Sequence, residues 1–322
     1  MPEAIFPAVI DNTIRSDFKA CEHQWFRRHC QGLTPKSTLN LHLHFGGCFA
    51  RGLEVTRKTY HAHGASEYSI LTGARAALGA WGDYEMPDVP PPAAYKTPQA
   101  LLDALFSYFV EYPLATDRIR PLNLGDGPIV ETSFAVPIPG CYHPVSGEQL
   151  TYSGRFDMVG TIGSAVWVVD EKTSSQLGDR WRDKWSLDAQ PTGYCWGLRQ
   201  YGLSPVGAII RGIGILGRDI TFAESIQPRS PWQIDQWLHQ LIADVERMTQ
   251  CWYEYQDILS HEMPEWTLSD PEGAAFPRAL DKDICHAYGH PCAFVPLCSS
   301  NTPEAWMDEY IVKHWDPLAR KE

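Results

Sequence analysis

Two carboxylates and an amine carry the chemistry of this chain. Asp157, Asp170 and Lys172 fall within the segment SGRFDMVGTIGSAVWVVDEKTS. Asp157 ends one short apolar run; Val166, Trp167, Val168 and Val169 form a second, and Asp170-Glu171-Lys172 follows at once. A glycine-containing turn from Gly160 to Ser164 joins the runs, so the segment reads as a β-hairpin with both carboxylates near one end of a sheet. Carboxylates held together repel unless a cation lies between them, and hard oxygen ligands suit Mg²⁺ or Mn²⁺. Lys172 shares a strand face with Asp170, where it could orient or deprotonate a water. That is the equipment for metal-assisted phosphodiester hydrolysis.

The elements that must position these groups run helical, then mixed, then helical. Ser16 is expected to cap a helix through Phe18, Trp25 and Phe26 to about Cys30. Gly46 to Tyr60 and Ser66 to Trp81 read as two further helices. Met86 to Pro98 is too proline-rich for regular structure and reads as a surface connector; Leu101 to Val110 resumes a helical pattern. The sheet is expected to begin with Ile129 to Pro137, to continue through Gln149 to Tyr152, and to include the two motif strands. Ser186 to Gly202 reads as a helix and Val206 to Ile215 as a strand. Pro231 to Leu259 reads as a long amphipathic helix carrying Trp232, Trp237 and Trp252. The chain has no internal repeat and no low-complexity tract.

Cysteines form a second constellation. Cys285, Cys292 and Cys298 share one short loop rich in Gly and Pro. Such a loop buries little, so clustered thiols there point to ligation rather than packing. Cys21, in the first expected helix, is the candidate fourth ligand. Cys30, Cys48, Cys141, Cys195 and Cys251 are isolated and read as core or surface filler.

Asp157, the run Asp170-Glu171-Lys172-Thr173-Ser174 and the later Gln190-Pro-Thr-Gly-Tyr194 stand in an order that resembles the PD-(D/E)XK nuclease superfamily. In detail they resemble its RecB/AddB-type branch, whose D-x-K-T-S and Q-x-x-x-Y signatures they match. The resemblance runs from about Ser16 to Cys298. It implies an α/β fold with a restriction-endonuclease-like core, a mixed central sheet flanked by helices, plus an N-terminal helical region and a C-terminal Cys-rich cluster loop. The whole of 1–322 is then one nuclease domain. Its parts are a helical region over 1–125 with the connector at 86–98, a core and long helix over 126–260, and a Cys-rich part over 261–322.

The resemblance also implies roles. Asp157 and Asp170, with the Glu171 backbone carbonyl, are expected to bind one or two Mg²⁺ or Mn²⁺ ions. Lys172 orients the attacking water, Gln190 contacts the scissile region, and Tyr194 packs or hydrogen-bonds near the DNA backbone. One cysteine upstream of the core and three downstream resembles the iron–sulfur nucleases of this branch, so Cys21, Cys285, Cys292 and Cys298 are expected to hold a 4Fe–4S cluster. The gaps of six and five residues between the downstream cysteines depart from the closer pairs common in those relatives. Zn²⁺ is the alternative metal, with His286 or His290 as a substitute ligand. The best overall match is a stand-alone nuclease of phage or prophage type, a DNA exonuclease in replication, recombination or repair. A helicase or recombination protein is an expected partner, since the chain has no P-loop of its own. Two readings compete: a catalytically silent DNA-binding or assembly module with the same fold, and a zinc-binding structural protein. The intact Asp157, Asp170 and Lys172 argue against the first.

Two acids stay open. Leu43 to Glu54 looks like the branch's helix-opening pattern, but Ala50 stands where a histidine normally completes the metal site. Glu54, one turn on along the same face, either supplies the missing oxygen or is an exposed helix glutamate. Glu131 matches an acidic position before the core hairpin and either points to the metal or caps the sheet edge.

Composition bounds the rest. A chain of 322 residues can bury a substantial core. The net charge of −12 argues against a general nucleic-acid coat, though basic residues concentrated in one groove still allow a nuclease. The candidates are Arg27, Arg28, His29, Lys36, Arg51, Arg57, Lys58, Arg180, Arg182 and Lys184. No run reaches the length of a membrane span, and MPEAIFPAVIDNT lacks the blocks of a secretory signal. The expected location is the cytoplasm of a bacterial or phage-infected cell, where nine cysteines stay reduced or bind metal.

Overall fold

The structure, a computed structural model, describes residues 2–36, 40–89, 91, 93–125, 127–215, 219–260, 270–287 and 290–319. Pro90 and Pro92 of the expected connector lie outside the described residues. The chain divides into two compact units, one of residues 1–38, 135–154 and 236–319, the other of 39–134, 155–235 and 320–322.

In the first unit, β1 (Val9–Ile10) pairs in parallel with Thr151 and Tyr152. Helix α1 (Asn12–Ala20) starts earlier than Ser16, because the Asp11 side chain accepts the Ile14 N–H at 2.7 Å and caps it. It also ends sooner. Cys21 is extended (φ −161°, ψ 114°), and a short α2 (Glu22–Trp25) runs into a π-turn over Phe26–Cys30. The neighbouring Trp25 and Phe26 are both fully buried. Trp25 packs edge-on against Phe6 and Phe18, and Phe26 stacks on Phe276 at 4.4 Å. Seating two adjacent rings overrides the helix propensity of this stretch. Strand β2 (Leu33–Pro35) pairs antiparallel with Tyr310–Val312.

The second unit opens with three helices, α3 (Leu41–His63), α4 (Ser66–Trp81) and α5 (Pro98–Glu111). Asn40 and Thr97 cap α3 and α5 through their side chains, and Gly64, at φ +67°, closes α3 in the left-handed conformation that glycine tolerates. Helices α3 and α4 lie so close that a Cβ at Gly73 would stand 2.5 Å from the Gly52 carbonyl oxygen. Phe45, Phe49 and Leu53 of α3 bury against Ala77, Trp81, Leu105 and Tyr108, and this core includes Ile213 and Ile215 of the sheet.

Three two-residue strands follow, β3 (Arg120–Pro121), β4 (Asn123–Leu124) and β5 (Gly127–Pro128), then the long β6 (Val130–Tyr142) and β7 (Gln149–Ile162). Gln149 to Tyr152 and the Asp157 segment are thus one strand. The motif hairpin turns at Gly163-Ser164, and Gly160 lies inside β7. Strand β8 (Ala165–Ser174) pairs antiparallel with β7 and parallel with β9 (Pro205–Ile215), and β10 (Ile220–Pro228) completes the order antiparallel to β9. The crossover between the parallel strands carries α6 (Asp179–Asp183), a 3₁₀ turn over Lys184–Leu187 and α7 (Ala189–Gln200). The expected helix from Ser186 is therefore divided, because the Asp188 side chain accepts the Gln190 N–H at 2.9 Å and starts α7 afresh. A mixed sheet flanked by helices results, the α/β class expected.

Helix α8 (Pro231–Ser260) buries Trp237, Leu241, Val245, Met248 and Trp252 at helical spacing. Beyond it, among the described residues, come the short helices Pro271–Ala275, Lys282–Cys285 and Val295–Cys298. Among the described residues no helix is long and apolar enough to cross a membrane.

Candidate active site

Asp157 on β7 and Asp170 on β8 stand one pair beyond Met158 and Val169, the last residues paired across the hairpin. Asp157 Oδ2 accepts the Glu171 N–H at 2.9 Å. Lys172 Nζ lies 2.9 Å from both Asp170 oxygens. Asp170 is 2% exposed, whereas Asp157 and Lys172 are half-buried, so this strand face reaches solvent. Burial raises the Asp157 carboxyl well above the ordinary range, and the Asp170 charge raises it further. Burial also raises Asp170, against the opposing Lys172 ammonium. Lys172 itself is lowered by burial but raised more by Asp170 and Asp157, and ends above its usual value. The raised value favours the ammonium form, a hydrogen-bond donor. Two oxygen donors short of positive charge suit a hard divalent ion. Among the described residues, no three His, Cys, Asp or Glu side chains converge into a ready metal cage.

Glu171 faces the other way, as strand alternation requires. Its Oε1 takes an ion pair from Arg57 on α3 and a hydrogen bond from the Tyr108 hydroxyl on α5 at 2.9 Å. Burial would raise this carboxyl, but Arg57 outweighs it and holds Glu171 below the ordinary range. Beside it, Arg211 of β9 donates to Tyr108 at 3.2 Å, grips both Asp117 oxygens at 2.7 and 2.9 Å, and reaches Glu224 at 3.0 Å. Glu171 Oε1 is thus engaged on the face away from Asp157 and Asp170, while Oε2 is buried without a hydrogen-bond partner among the described residues.

Gln190 and Tyr194 lie one turn apart on α7, with Gln190 Nε2 donating to the Tyr194 hydroxyl at 2.9 Å. Tyr194 packs edge-on against Phe134 and Phe156, and burial, then the Asp170 and Asp157 charges, push its phenol up. Asp188, the α7 cap, adds its charge to Asp170 and Lys172. Glu54 is ion-paired on its own helix, with Arg51 at 2.7 Å and Lys58 at 2.6 Å. Glu131 holds Arg155 at 2.9 Å with a backbone φ of +47°, a strained value for a residue other than glycine. Burial pushes its carboxyl up to about 7 against the Arg155 charge, and Asp157 registers its field.

Sequence reasoning missed Asp188, Tyr108 and Arg211. Arg211 had a signal, a lone charge in the apolar run Ala208-Ile-Ile-Arg-Gly-Ile. The groove reading needs correction at three positions. Arg27, His29 and Arg57 are buried, Arg27 against Glu272 and Arg57 against Glu171. The acidic partners of Arg27 and Arg57 lie far away in sequence, and His29 pairs with Asp17 of α1, so charge alone suggested a surface. Arg180, Arg182 and Lys184 are exposed.

The four cysteines expected as ligands lie in the first unit and are half-buried; the other five cysteines of the chain are buried. Burial raises the Cys292 thiol, and Cys298, Cys21 and Cys285 all add to the rise, so the four are electrostatic neighbours. Cys292 donates to Gln24 Oε1 at 3.3 Å, and its backbone N–H bonds the Cys285 carbonyl at 2.6 Å. Burial also raises Cys298, opposed by the charge and hydrogen bond of Arg278. Among the described residues these cysteines form no ready group of three or more metal ligands; their sulfur donors are of the type that soft metal centres use.

The PD-(D/E)XK nuclease superfamily pattern matches residues 14–298. The chain belongs to the PD-(D/E)XK nuclease superfamily. Members of the PD-(D/E)XK superfamily usually use divalent metals such as Mg²⁺, and membership points to a hydrolase acting on nucleic acid. No curated protein matches the chain. The crystal structure of SSO0001 is similar at 17% identity and a TM-score of 0.26, over 61% of this chain and 74% of that one, a likeness too loose to carry an argument.

Proposed function

We propose that this chain is a Mg²⁺- or Mn²⁺-dependent deoxyribonuclease of the RecB/AddB-like branch and of phage type. It acts as an exonuclease in DNA replication, recombination or repair, with strand separation left to a partner. The observation that carries the reading is the open strand face on which Asp157, Asp170 and Lys172 meet. Asp157, Asp170 and the Glu171 carbonyl would hold the divalent ion, which polarises the phosphate and lowers the pKa of water when bound. Lys172, fixed by both oxygens of Asp170, donates toward the water and the charge gathering on the phosphoryl oxygens. Gln190 and Tyr194, locked together on α7, border that face and engage the strand being cut. Glu131 is a further acid whose charge raises the Asp157 carboxyl.

The four neighbouring thiols support a second part of the reading. Cys21, Cys285, Cys292 and Cys298 would hold a 4Fe–4S cluster that ties the chain's early and late segments within the first unit, a structural role.

The test is cleavage of end-labelled linear DNA, single- and double-stranded, with Mg²⁺ or Mn²⁺. Wild type should release nucleotides from ends, and Asp157→Ala, Asp170→Ala and Lys172→Ala should not. Undiminished cleavage by Asp170→Ala would place the activity elsewhere. DNA binding without cleavage under any divalent ion would favour a silent module.

A further inference from the structure

A cavity of about 320 Å³ opens in the second unit, bounded by the two partners of Glu171, Arg57 and Tyr108. It therefore lies on the side of β8 away from Asp170 and Lys172. Its floor is buried, with Arg57, Tyr108 and Phe109 each at most 6% exposed, while His61, Arg120 and Asn123 line it from exposed positions. A deep floor with a polar rim describes a receptacle rather than a packing defect. Its size is at the small end of ligand pockets, which run from about 300 to 1,000 Å³.

Arg57 supplies the reason to look for a ligand. Its hydrogen bonds, to Glu171 and Tyr108, both leave from Nη2. Among the described residues, Nε and Nη1 have no hydrogen-bond partner, although the side chain is only 5% exposed. Neither atom is sealed from the cavity that Arg57 lines, and a planar, permanently charged fork matches phosphate oxygens. Arg120 brings a second positive charge to the rim, its Nη1 and Nη2 donating to the Leu114 and Ala115 carbonyls at 3.1 and 2.6 Å. Tyr60 and Tyr112 also line the cavity, the Tyr112 ring carrying Arg211 over one face at 3.8 Å, and aromatic rings there offer stacking surface to a flat base.

We propose that this cavity binds a nucleoside monophosphate, its phosphate on the free donors of Arg57 and its base against the tyrosines. The site is separate from the carboxylate face of β8, and its occupancy does not depend on whether that face cleaves DNA. Because Arg57 also holds Glu171, a bound phosphate draws on the same guanidinium that anchors the reverse side of the strand.

The experiment is calorimetric titration of the full chain with deoxyadenosine monophosphate, deoxyadenosine and inorganic phosphate. EDTA is present throughout, so that no divalent ion bridges nucleotide and carboxylates. The monophosphate should bind saturably, and the nucleoside and phosphate each about tenfold more weakly. Tyr60→Ala and Asn123→Ala should weaken the monophosphate about tenfold or more, whereas Asp157→Asn should leave its affinity unchanged. Asn123 is exposed, so that variant carries the test alone if Tyr60→Ala fails to fold. Absence of binding overturns the proposal, as does binding that survives Asn123→Ala and any folded Tyr60→Ala. Loss in Asp157→Asn also overturns it, because the nucleotide would then sit on the carboxylate face.

Discussion

Asp157 and Asp170 stand side by side at the end of the β7–β8 hairpin, and the charge of Asp170 adds to burial in lifting the Asp157 carboxyl. The folded chain therefore favours protonated Asp157 more than the unfolded chain does. That contribution to stability is fully present below the unfolded value of about 3.9 and is lost as pH rises through the raised folded value. Glu131, pushed up to about 7, acts in the same direction.

The first prediction follows from that sign. Without divalent ions, the unfolding midpoint of wild type should fall relative to Asp157→Asn as pH rises from about 4 to 8. Added Mg²⁺ should raise the wild-type midpoint, and more at higher pH. Thermal unfolding across pH, with EDTA or Mg²⁺, measures both. A gap between the two proteins that stays flat with pH contradicts it.

Lys172→Met should cut cleavage by about 10²–10³-fold, the scale for losing one aligned electrostatic donor. Metal binding and DNA binding should survive, since the carboxylates remain. Single-turnover cleavage at saturating metal, beside calorimetric metal affinity, separates the two effects; equal losses in both would give Lys172 only a structural role.

Arg57→Met leaves Glu171 buried without its cation and should cost about 3–5 kcal/mol. Adding Glu171→Leu should recover much of this, because the uncompensated charge goes as well. Urea unfolding of the two single variants and the double variant measures the coupling. Independent, additive losses would mean that the pair is not the unit described.

Serine at Cys21, Cys285, Cys292 or Cys298 should each release iron from anaerobically purified protein and lower its thermal midpoint, since metal held only by the folded chain stabilises it. Visible absorption with an iron and zinc assay reads the first effect. Stoichiometric zinc without iron would replace the cluster by a structural zinc site.

Local signals carried much of this fold. The Ser66 helix, the α8 pattern and the β9 run depend on nearby residues, and the sequence spacing of each survives in three dimensions. Helix α1 was misjudged because packing of Trp25 and Phe26 outranks local propensity, and α7 because one cap, Asp188, divides a continuous pattern. At the site, Asp157, Asp170 and Lys172 were legible as a hairpin face. Arg57 and Tyr108 were not, since their meeting with Glu171 spans 114 and 63 positions of chain. Burial and pairing at such separations leave no periodic trace.

The pairing of Glu171 with Arg57 has a consequence for how the hairpin assembles. A strand displaced by one residue in the direction that presents Glu171 where Asp170 belongs would turn Lys172 toward Arg57 and Arg211. Lysine there would meet two guanidinium groups, and Glu171 would join Asp157 without a neighbouring ammonium. The middle residue of the motif thus penalises the mispaired hairpin on both faces at once. The alternation of charge along β8 disfavours that slip without help from any ion or nucleic acid.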